Sequence, residues 1–272
     1  MRNDGDLAGQ QAIDLEKMCR HAVDRSSGQL FDITLEHFGD DDLIAYIVSS
    51  SSQIKHLRLA CCYHISDEGL VKALAKLPLL EELELTHCSF SVEPLEAVGH
   101  FCRNLKSLKL NYKMYRSFSI QPDEEAEYNE EANAIAKNMP ALRNLQLIGN
   151  CMTNMGLQAI LDGCPHLESL DLRRCLHLNL KEGLGKKCAD RVKVLQLPHE
   201  STEGSRFDFG ESTDGSRSYE YEDYLSGLSA DDYADDYLEN YLGGDDYLGF
   251  GDDDYFDYDD FTVLPFDDWL DF

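Results

Sequence analysis

"LLEELELTHCSF", residues 79–90, alternates apolar and polar side chains about Leu83 and Leu85 and then reaches a cysteine, Cys88. Alternation with a period of two is what a strand with one buried face requires. The phrase is not unique. "IKHLRLACC" from Ile54, "LKSLKLNYK" from Leu105, "LRNLQLIGN" from Leu142 and "LESLDLRRC" from Leu167 repeat it, with weaker copies at "LFDITLEHF" from Leu30 and "VKVLQLPHE" from Val192. The central apolar residues of these seven copies fall at 33, 57, 83, 108, 145, 170 and 195, giving spacings of 24, 26, 25, 37, 25 and 25 residues.

L-x-x-L-x-L-x-x-C or N at a period in the twenties is the pattern of a leucine-rich repeat, in which a strand, a turn and a helix make one coil. The expectation is therefore an α/β solenoid, a right-handed β-α superhelix of about seven coils, over residues 1–198. Helices are read between the strands at "SDEGLVKALAKL", "SVEPLEAVGHFC", "EEANAIAKNM", "TNMGLQAILDGC" and "LKEGLGKKC", where apolar residues recur every three or four positions. Ser66 and Ser91 are placed as helix starts. Leu57, Leu59, Leu83, Leu85, Leu108, Leu110, Leu145, Leu147, Leu170 and Leu172 then share one elongated core. Each contributes roughly 1.5 to 3 kcal/mol on burial. Cys62, Cys88 and Cys175 occupy one slot of their coils, where a small apolar side chain turns inward, so Cys88 serves shape rather than chemistry.

The chain has 272 residues, 43% of them hydrophobic, and a formal net charge of −28. From His199 onward there are 24 acidic residues against only Arg206 and Arg217, so this stretch carries −22 and the remainder −6. Such a balance argues against nucleic acid or an anionic membrane as partner and favours protein surfaces. No basic segment followed by an apolar run opens the chain and no run of eighteen apolar residues occurs, so a cytoplasmic or nuclear location is expected. Nine cysteines in that setting are expected as free thiols.

Three regions are candidates for binding, and a protein substrate is the expected partner. Between the core leucines, His56, Arg58, Glu82, Glu84, Ser107, Lys109, Asn144, Gln146, Ser169 and Asp171, with Arg173 beyond, face the concave side, where solenoids bind. The 37-residue spacing holds an insertion of about twelve residues within 112–130, where Tyr112, Tyr115, Arg116 and Phe118 have the aromatic and basic character of interface anchors. The stretch 199–272 alternates aspartate with nine of the fourteen tyrosines and is expected to be a disordered acidic tail ending in "FDDWLDF", with Phe266, Trp269 and Leu270. That tail could contact a partner, cover the open end of the last coil at Leu195 and Leu197, or serve only as a solvated extension. Cys61, Cys62 and His64 lack a second pair at ligand spacing, so no metal is expected. Neither a serine elbow, a phosphate loop nor H-E-x-x-H is found, so no cofactor or catalytic residue is assigned. A monomeric binder is the reading.

Longer segments carry a resemblance. "CCYHISDEGLVKALAKLPLLEELEL" and "MTNMGLQAILDGCPHLESLDL" resemble the cysteine-containing class of these repeats. "MCRHAVDRSSGQL" (18–30), "DDLIAYI" (41–47), "KLPLLEELELTHCSFSVEPLEAVG" (76–99) and "LDGCPHLESLDLRRC" (161–175) are similar to plant F-box and leucine-rich-repeat proteins of the Skp-interacting group. The resemblance implies a substrate receptor of a Skp–cullin–F-box ubiquitin ligase, in which an F-box docks on the Skp adaptor and the repeats hold the target. It places the F-box ahead of the repeats, and the residues before Leu15 are too few for one. Without an F-box, a non-ligase adaptor or transcriptional co-regulator using the acidic aromatic tail is the alternative.

Overall fold

All seven repeat centres stand side by side in one parallel sheet: Ile33 pairs with Leu57, Leu57 with Leu83, Leu83 with Leu108, Leu108 with Leu145, Leu145 with Leu170 and Leu170 with Leu195. The structure, a computed structural model, describes residues 15–112, 125–180 and 183–202. Its elements run α1 (Leu15–Arg25), β1 (Asp32–Glu36), α2 (Asp41–Ser50), β2 (His56–Ala60), α3 (Asp67–Leu74), β3 (Glu82–Thr86), α4 (Glu93–Phe101), β4 (Ser107–Asn111), α5 (Glu125–Tyr128), α6 (Glu130–Asn138), β5 (Asn144–Gln146), α7 (Asn154–Gly163), β6 (Ser169–Asp171), α8 (Leu184–Arg191) and β7 (Val194–Gln196). Strand order equals chain order. Helices between successive strands return the chain to the same edge of the sheet, which is why neighbouring strands are parallel.

The backbone fixes the register at both ends of each strand. Two residues before each centre, one carbonyl accepts two N–H groups from the next coil: Phe31 O from Lys55 and His56 at 2.8 and 3.1 Å, Glu81 O from Lys106 and Ser107 at 2.9 and 3.1 Å, and Glu168 O from Lys193 and Val194 at 2.8 and 3.1 Å. Past the strands the chain turns through a left-handed residue, His37, Cys61, His87 or Arg174, at φ between 50° and 62°, or Gly149 at 73°. Such a conformation is uncomfortable for a side chain. It is held here because the same residue's N–H reaches the next coil, as in His37 to Ala60 O at 2.9 Å and Cys61 to Thr86 O at 2.9 Å.

Each core leucine named from the sequence is buried, none above 6% exposed. The cysteine slot is filled as expected, and its thiols point at the second core leucine of the preceding strand: Cys62 Sγ to Leu35 O at 3.5 Å, Cys88 Sγ to Leu59 O at 3.5 Å and Cys175 Sγ to Leu147 O at 2.9 Å. Burial pushes the Cys62 thiol up to about 12 and the Cys88 thiol to about 11, so neither is a nucleophile at neutral pH. Asn150 takes the slot in the fifth coil and pins its own turn, accepting from Met152 N at 2.8 Å. All nine cysteines are free.

Ser66 caps α3 as expected, accepting from Gly69 N at 3.0 Å. Ser91 does not cap α4: Val92 occupies the cap position and Pro94 the first turn, while Ser91 Oγ accepts from Glu93 N at 3.2 Å. Three described helices lie beyond those read from the sequence: α1 and α2, on either side of β1, and the short α5. α1 turns Cys19 and Val23 against α2, with Arg20 over the Tyr46 ring at 4.6 Å from its centre. The helices are stitched on the outer side by side chains of one coil receiving the backbone of the next: Asp41 from Ser66 N at 2.8 Å, Asp67 from Ser91 N at 3.0 Å, Asn129 from Thr153 N at 3.0 Å and Asn154 from Asn179 N at 2.8 Å.

Candidate protein interface

Strand periodicity sends the leucines inward and leaves two rows on the opposite face, polar except for Val194. One runs Asp32, His56, Glu82, Ser107, Asn144, Ser169 and Val194; the other runs Thr34, Arg58, Glu84, Lys109, Gln146, Asp171 and Gln196. Residues remote in sequence thus become neighbours about 4.8 Å apart, the spacing of paired strands.

The second row is linked by its own charges. Arg58 Nε donates to Glu84 Oε1 at 2.5 Å and its Nη1 to Glu36 Oε2 at 3.3 Å. Burial pulls the Arg58 guanidinium down, but the bonds and charges of Glu84 and Glu36 outweigh it and hold it above its ordinary range. Lys109 Nζ donates to Glu82 Oε1 at 2.5 Å and lies 3.6 Å from Glu84 Oε2. From there hydrogen bonds continue: Thr86 Oγ1 to Glu84 Oε1 at 3.3 Å, Asn111 Nδ2 to Thr86 Oγ1 at 3.2 Å, and Gln146 Nε2 to Asn111 Oδ1 at 2.8 Å. One polar chain crosses the strands from β1 to β5.

Of the face residues expected to bind, Glu84, Asp171 and Arg173 must be corrected. They are only 7%, 4% and 6% exposed and are consumed internally. Arg173 grips Asp171 through Nε at 3.0 Å and Nη2 at 2.7 Å, and its Nη1 holds Ser201 O at 3.0 Å, fixing the segment after β7. Ser107 is likewise buried. His56 and Asn144 stand exposed, and Arg58, Glu82, Lys109, Gln146 and Ser169 are half-buried, so these seven of the expected residues remain reachable.

A second stripe lies at the edge where the strands begin and was missed in the sequence reading. Lys55, Glu81 and Lys106 alternate in sign, as do Arg143, Glu168 and Lys193. Glu81 bonds Lys55 at 2.9 Å and Lys106 at 2.8 Å; Glu168 bonds Lys193 at 2.7 Å and also Arg143. Its signal was present, since each stands two positions before the centre of its repeat phrase. The bond from Lys106, then that from Lys55, holds the Glu81 carboxyl down at about 2.

Tyr112 is the other correction. Rather than projecting from a loop, its ring packs on the core and its hydroxyl donates to Glu131 Oε1 at 2.5 Å. Within 112–130, α5 occupies Glu125–Tyr128 and α6 begins at Glu130, while residues 113–124 lie outside the described residues. Glu131 Oε2 accepts from Asn150 Nδ2 at 2.7 Å. Burial pushes the Glu131 carboxyl up while these two bonds pull it down, and the net direction is upward. Tyr115, Arg116 and Phe118 of the insertion, and Phe266, Trp269 and Leu270 of the tail, lie outside the described residues, as does the expected disorder of that tail. Among the described residues no three metal-ligating side chains cluster, and no helix is long and apolar enough to cross a membrane.

No protein-family model matches the chain. Among curated proteins it is 52% identical over 188 residues to the putative F-box/LRR-repeat protein 23 of Arabidopsis thaliana, covering 69% of this chain and 41% of that protein. It is 46% identical over 245 residues to the F-box protein SKIP19 of the same plant, covering 90% of this chain and 76% of that protein. A third relative, a putative F-box protein of Arabidopsis, is 46% identical over 195 residues, of which the chain covers 63%. The chain thus spans between about two fifths and three quarters of these relatives. Among solved structures, the TLR13–ssRNA13 complex is similar with a TM-score of 0.36 at 17% identity over 64% of this chain and 30% of that one. With 46% identity to a relative of which it covers 76%, and with the repeat register realised strand by strand, the chain belongs to the plant F-box/leucine-rich-repeat family.

Proposed function

We propose that the chain is a protein-recognition module, the substrate-binding part of a Skp–cullin–F-box ubiquitin ligase, working in the cytosol or nucleus. The observation that carries this reading is the polar concave face: His56, Arg58, Glu82, Lys109, Asn144 and Gln146 stand on strands braced by one hydrogen-bonded chain. A face held in one arrangement before contact loses little freedom on binding, which favours affinity from modest area. Its mixed signs suit a folded protein surface better than a polyanion. Family membership supports the ligase context. The mechanism asks only that the target be held, so the reading gives this chain no chemical step.

The test is affinity capture from plant cells with the full chain, reading the eluate for the Skp adaptor, cullin and further proteins, alongside a His56→Ala/Asn144→Ala double variant. Loss of the further proteins in the variant, with adaptor and cullin recovery unchanged, is the expected result. Retention of every captured protein by the variant sinks the concave face as the binding surface. Recovery of proteins that never includes adaptor or cullin sinks the ligase role.

A further inference from the structure

The charged stripe where the strands begin breaks its alternation at one place. Its residues are backbone neighbours in order: Lys55 O accepts from Glu81 N, Glu81 O from Lys106 N, Lys106 O from Arg143 N, Arg143 O from Glu168 N and Glu168 O from Lys193 N, at 2.7 to 2.9 Å. Glu81 and Glu168 each bond a cation on either side, but Lys106 and Arg143 stand next to each other on neighbouring strands, about 4.8 Å apart along the backbone. Like charges so placed repel. Beside this pair, Arg103, Leu105, Lys137, Met139 and Ala141 line a cleft of about 460 Å³ between the ends of α4 and α6. One coil earlier the equivalent junction is stitched by Asn104 Nδ2, which donates to Pro78 O at 3.1 Å. Ala141 holds the place of Asn104 in the next coil and has no amide to give. Arg103 and Lys137 are exposed and bond to no side chain among the described residues.

We propose that this cationic junction docks an acidic segment of a partner protein, with one carboxylate seated between Lys106 and Arg143 as Glu81 and Glu168 are seated between their own cations. Lys137 alone is explained by its place in the last turn of α6, where a helix end attracts positive charge. Lys106 and Arg143 stand at strand starts, where no such field calls for two adjacent cations. Both keep donors to spare: Lys106 gives one to Glu81 and Arg143 one to Glu168, of three and five respectively. Val98, Leu105 and Met139, apolar and lining the same cleft, offer a place for a hydrophobic side chain beside the carboxylate. A polyphosphate chain fits less well, because Glu81 and Glu168 stand one strand away on either side and repel its continuation, whereas a protein segment can present a single carboxylate. The junction lies at the strand starts and not in the concave rows, so the assignment goes beyond the concave face and stands whether or not the chain serves a ligase.

The experiment is an NMR titration of the full isotope-labelled chain with the peptide acetyl-Glu-Glu-Phe-Glu-Glu-amide, and separately with its counterpart carrying glutamine for every glutamate. Saturable shifts centred on the amides of Arg103, Lys106, Lys137, Ala141 and Arg143 with the acidic peptide only are expected, weakening as salt is added. Arg103→Gln and Lys137→Gln should each weaken binding by about two- to fivefold, the range of a solvent-facing ion pair. Lys186→Gln, which removes one exposed charge from α8 instead, should leave it unchanged. All three replace exposed side chains, and far-UV circular dichroism checks that the fold is kept. Equal binding of the glutamine peptide, shifts centred elsewhere, or the same loss in all three variants overturns the proposal. So does a response of these amides to salt alone with no binding of the peptide, which would give the junction to carboxylates of the chain itself.

Discussion

The coils before the insertion and the coils after it share one register but not one strand length. β1 to β4 are five residues each, whereas β5 to β7 are three. The cause lies just past the second core leucine. In the later coils the chain closes a tight turn there: Asn150 N bonds Leu147 O at 3.2 Å, Cys175 N bonds Leu172 O at 3.0 Å and Glu200 N bonds Leu197 O at 3.1 Å. A turn that starts at that leucine takes the next residues out of the strand. The polar linkages follow suit: Arg58 and Lys109 bond carboxylates on neighbouring strands, but Arg173 bonds Asp171 of its own coil. The leucines set where coils align, and the backbone beyond them sets how far the alignment runs.

The largest effect should come from asking whether the two halves unfold together. Leu83→Ala and Leu145→Ala each remove a buried centre, one on either side of the insertion, and each should cost about 2 to 5 kcal/mol. Because α4 packs on α6 and β4 on β5 across the junction, both variants should lower the midpoint of one shared transition. Urea unfolding followed by far-UV circular dichroism measures this. A biphasic curve for Leu145→Ala beside a single shifted curve for Leu83→Ala would show that a solenoid held by nearest-neighbour contacts is cut in two at the insertion.

A smaller effect separates the halves at equivalent glycines in α3 and α7. A Cβ on Gly69 would stand 2.0 Å from Asp41 Oδ1, and one on Gly156 2.4 Å from Asn129 Oδ1 and 2.9 Å from Ala132 Cβ. Asp41 can swing away, though it then releases Ser66, which it holds at 2.8 and 2.6 Å. Ala132 has nowhere to go without moving α6. Gly156→Ala should therefore cost about 1 to 3 kcal/mol, as overpacking does. Gly69→Ala should cost less, because only the rotatable Asp41 side chain stands in the way there, while the gain of up to about 1 kcal/mol in helix propensity is common to both sites. Thermal denaturation ranks the pair, and the reverse order would mean that the outer stitching by Asp41 matters more than the close approach of α6 and α7.

Much of this was legible beforehand. Seven centres counted along the chain became seven paired residues, because a solenoid maps sequence period directly onto register. Residues consumed by that register were harder to see. Glu84 and Arg58 are 26 positions apart and read as two independent surface charges until adjacent strands bring them to 2.5 Å. Arg173 looked like one more concave residue, yet its partners are Asp171 two positions back and the carbonyl of Ser201. Tyr112 looked like the first residue of a loop, while its hydroxyl belongs to Glu131, nineteen positions on. Polar residue type reveals a face, but whether the face is open depends on pairings that the repeat pattern leaves unspecified.

The gentlest comparison is electrostatic and uses the stripe where the strands begin. Glu81 and Glu168 hold equivalent places in the two halves, each shared between two cations, and both carboxyls are held below their ordinary value. A depressed carboxyl stabilises the fold above its ordinary value of 4.5, and that contribution fades as pH falls, for Glu81 through about 2. Glu81→Gln should therefore leave less stability to lose as a urea midpoint is followed from neutral pH into acid, with the difference from the parent chain greatest above pH 4.5. Glu168→Gln should behave alike in direction. Since both carboxylates face solvent, raising the salt concentration should shrink both differences. A difference that ignores salt would place the stripe's role in packing of the lysine stems rather than in charge, and it would do so separately for each half of the solenoid.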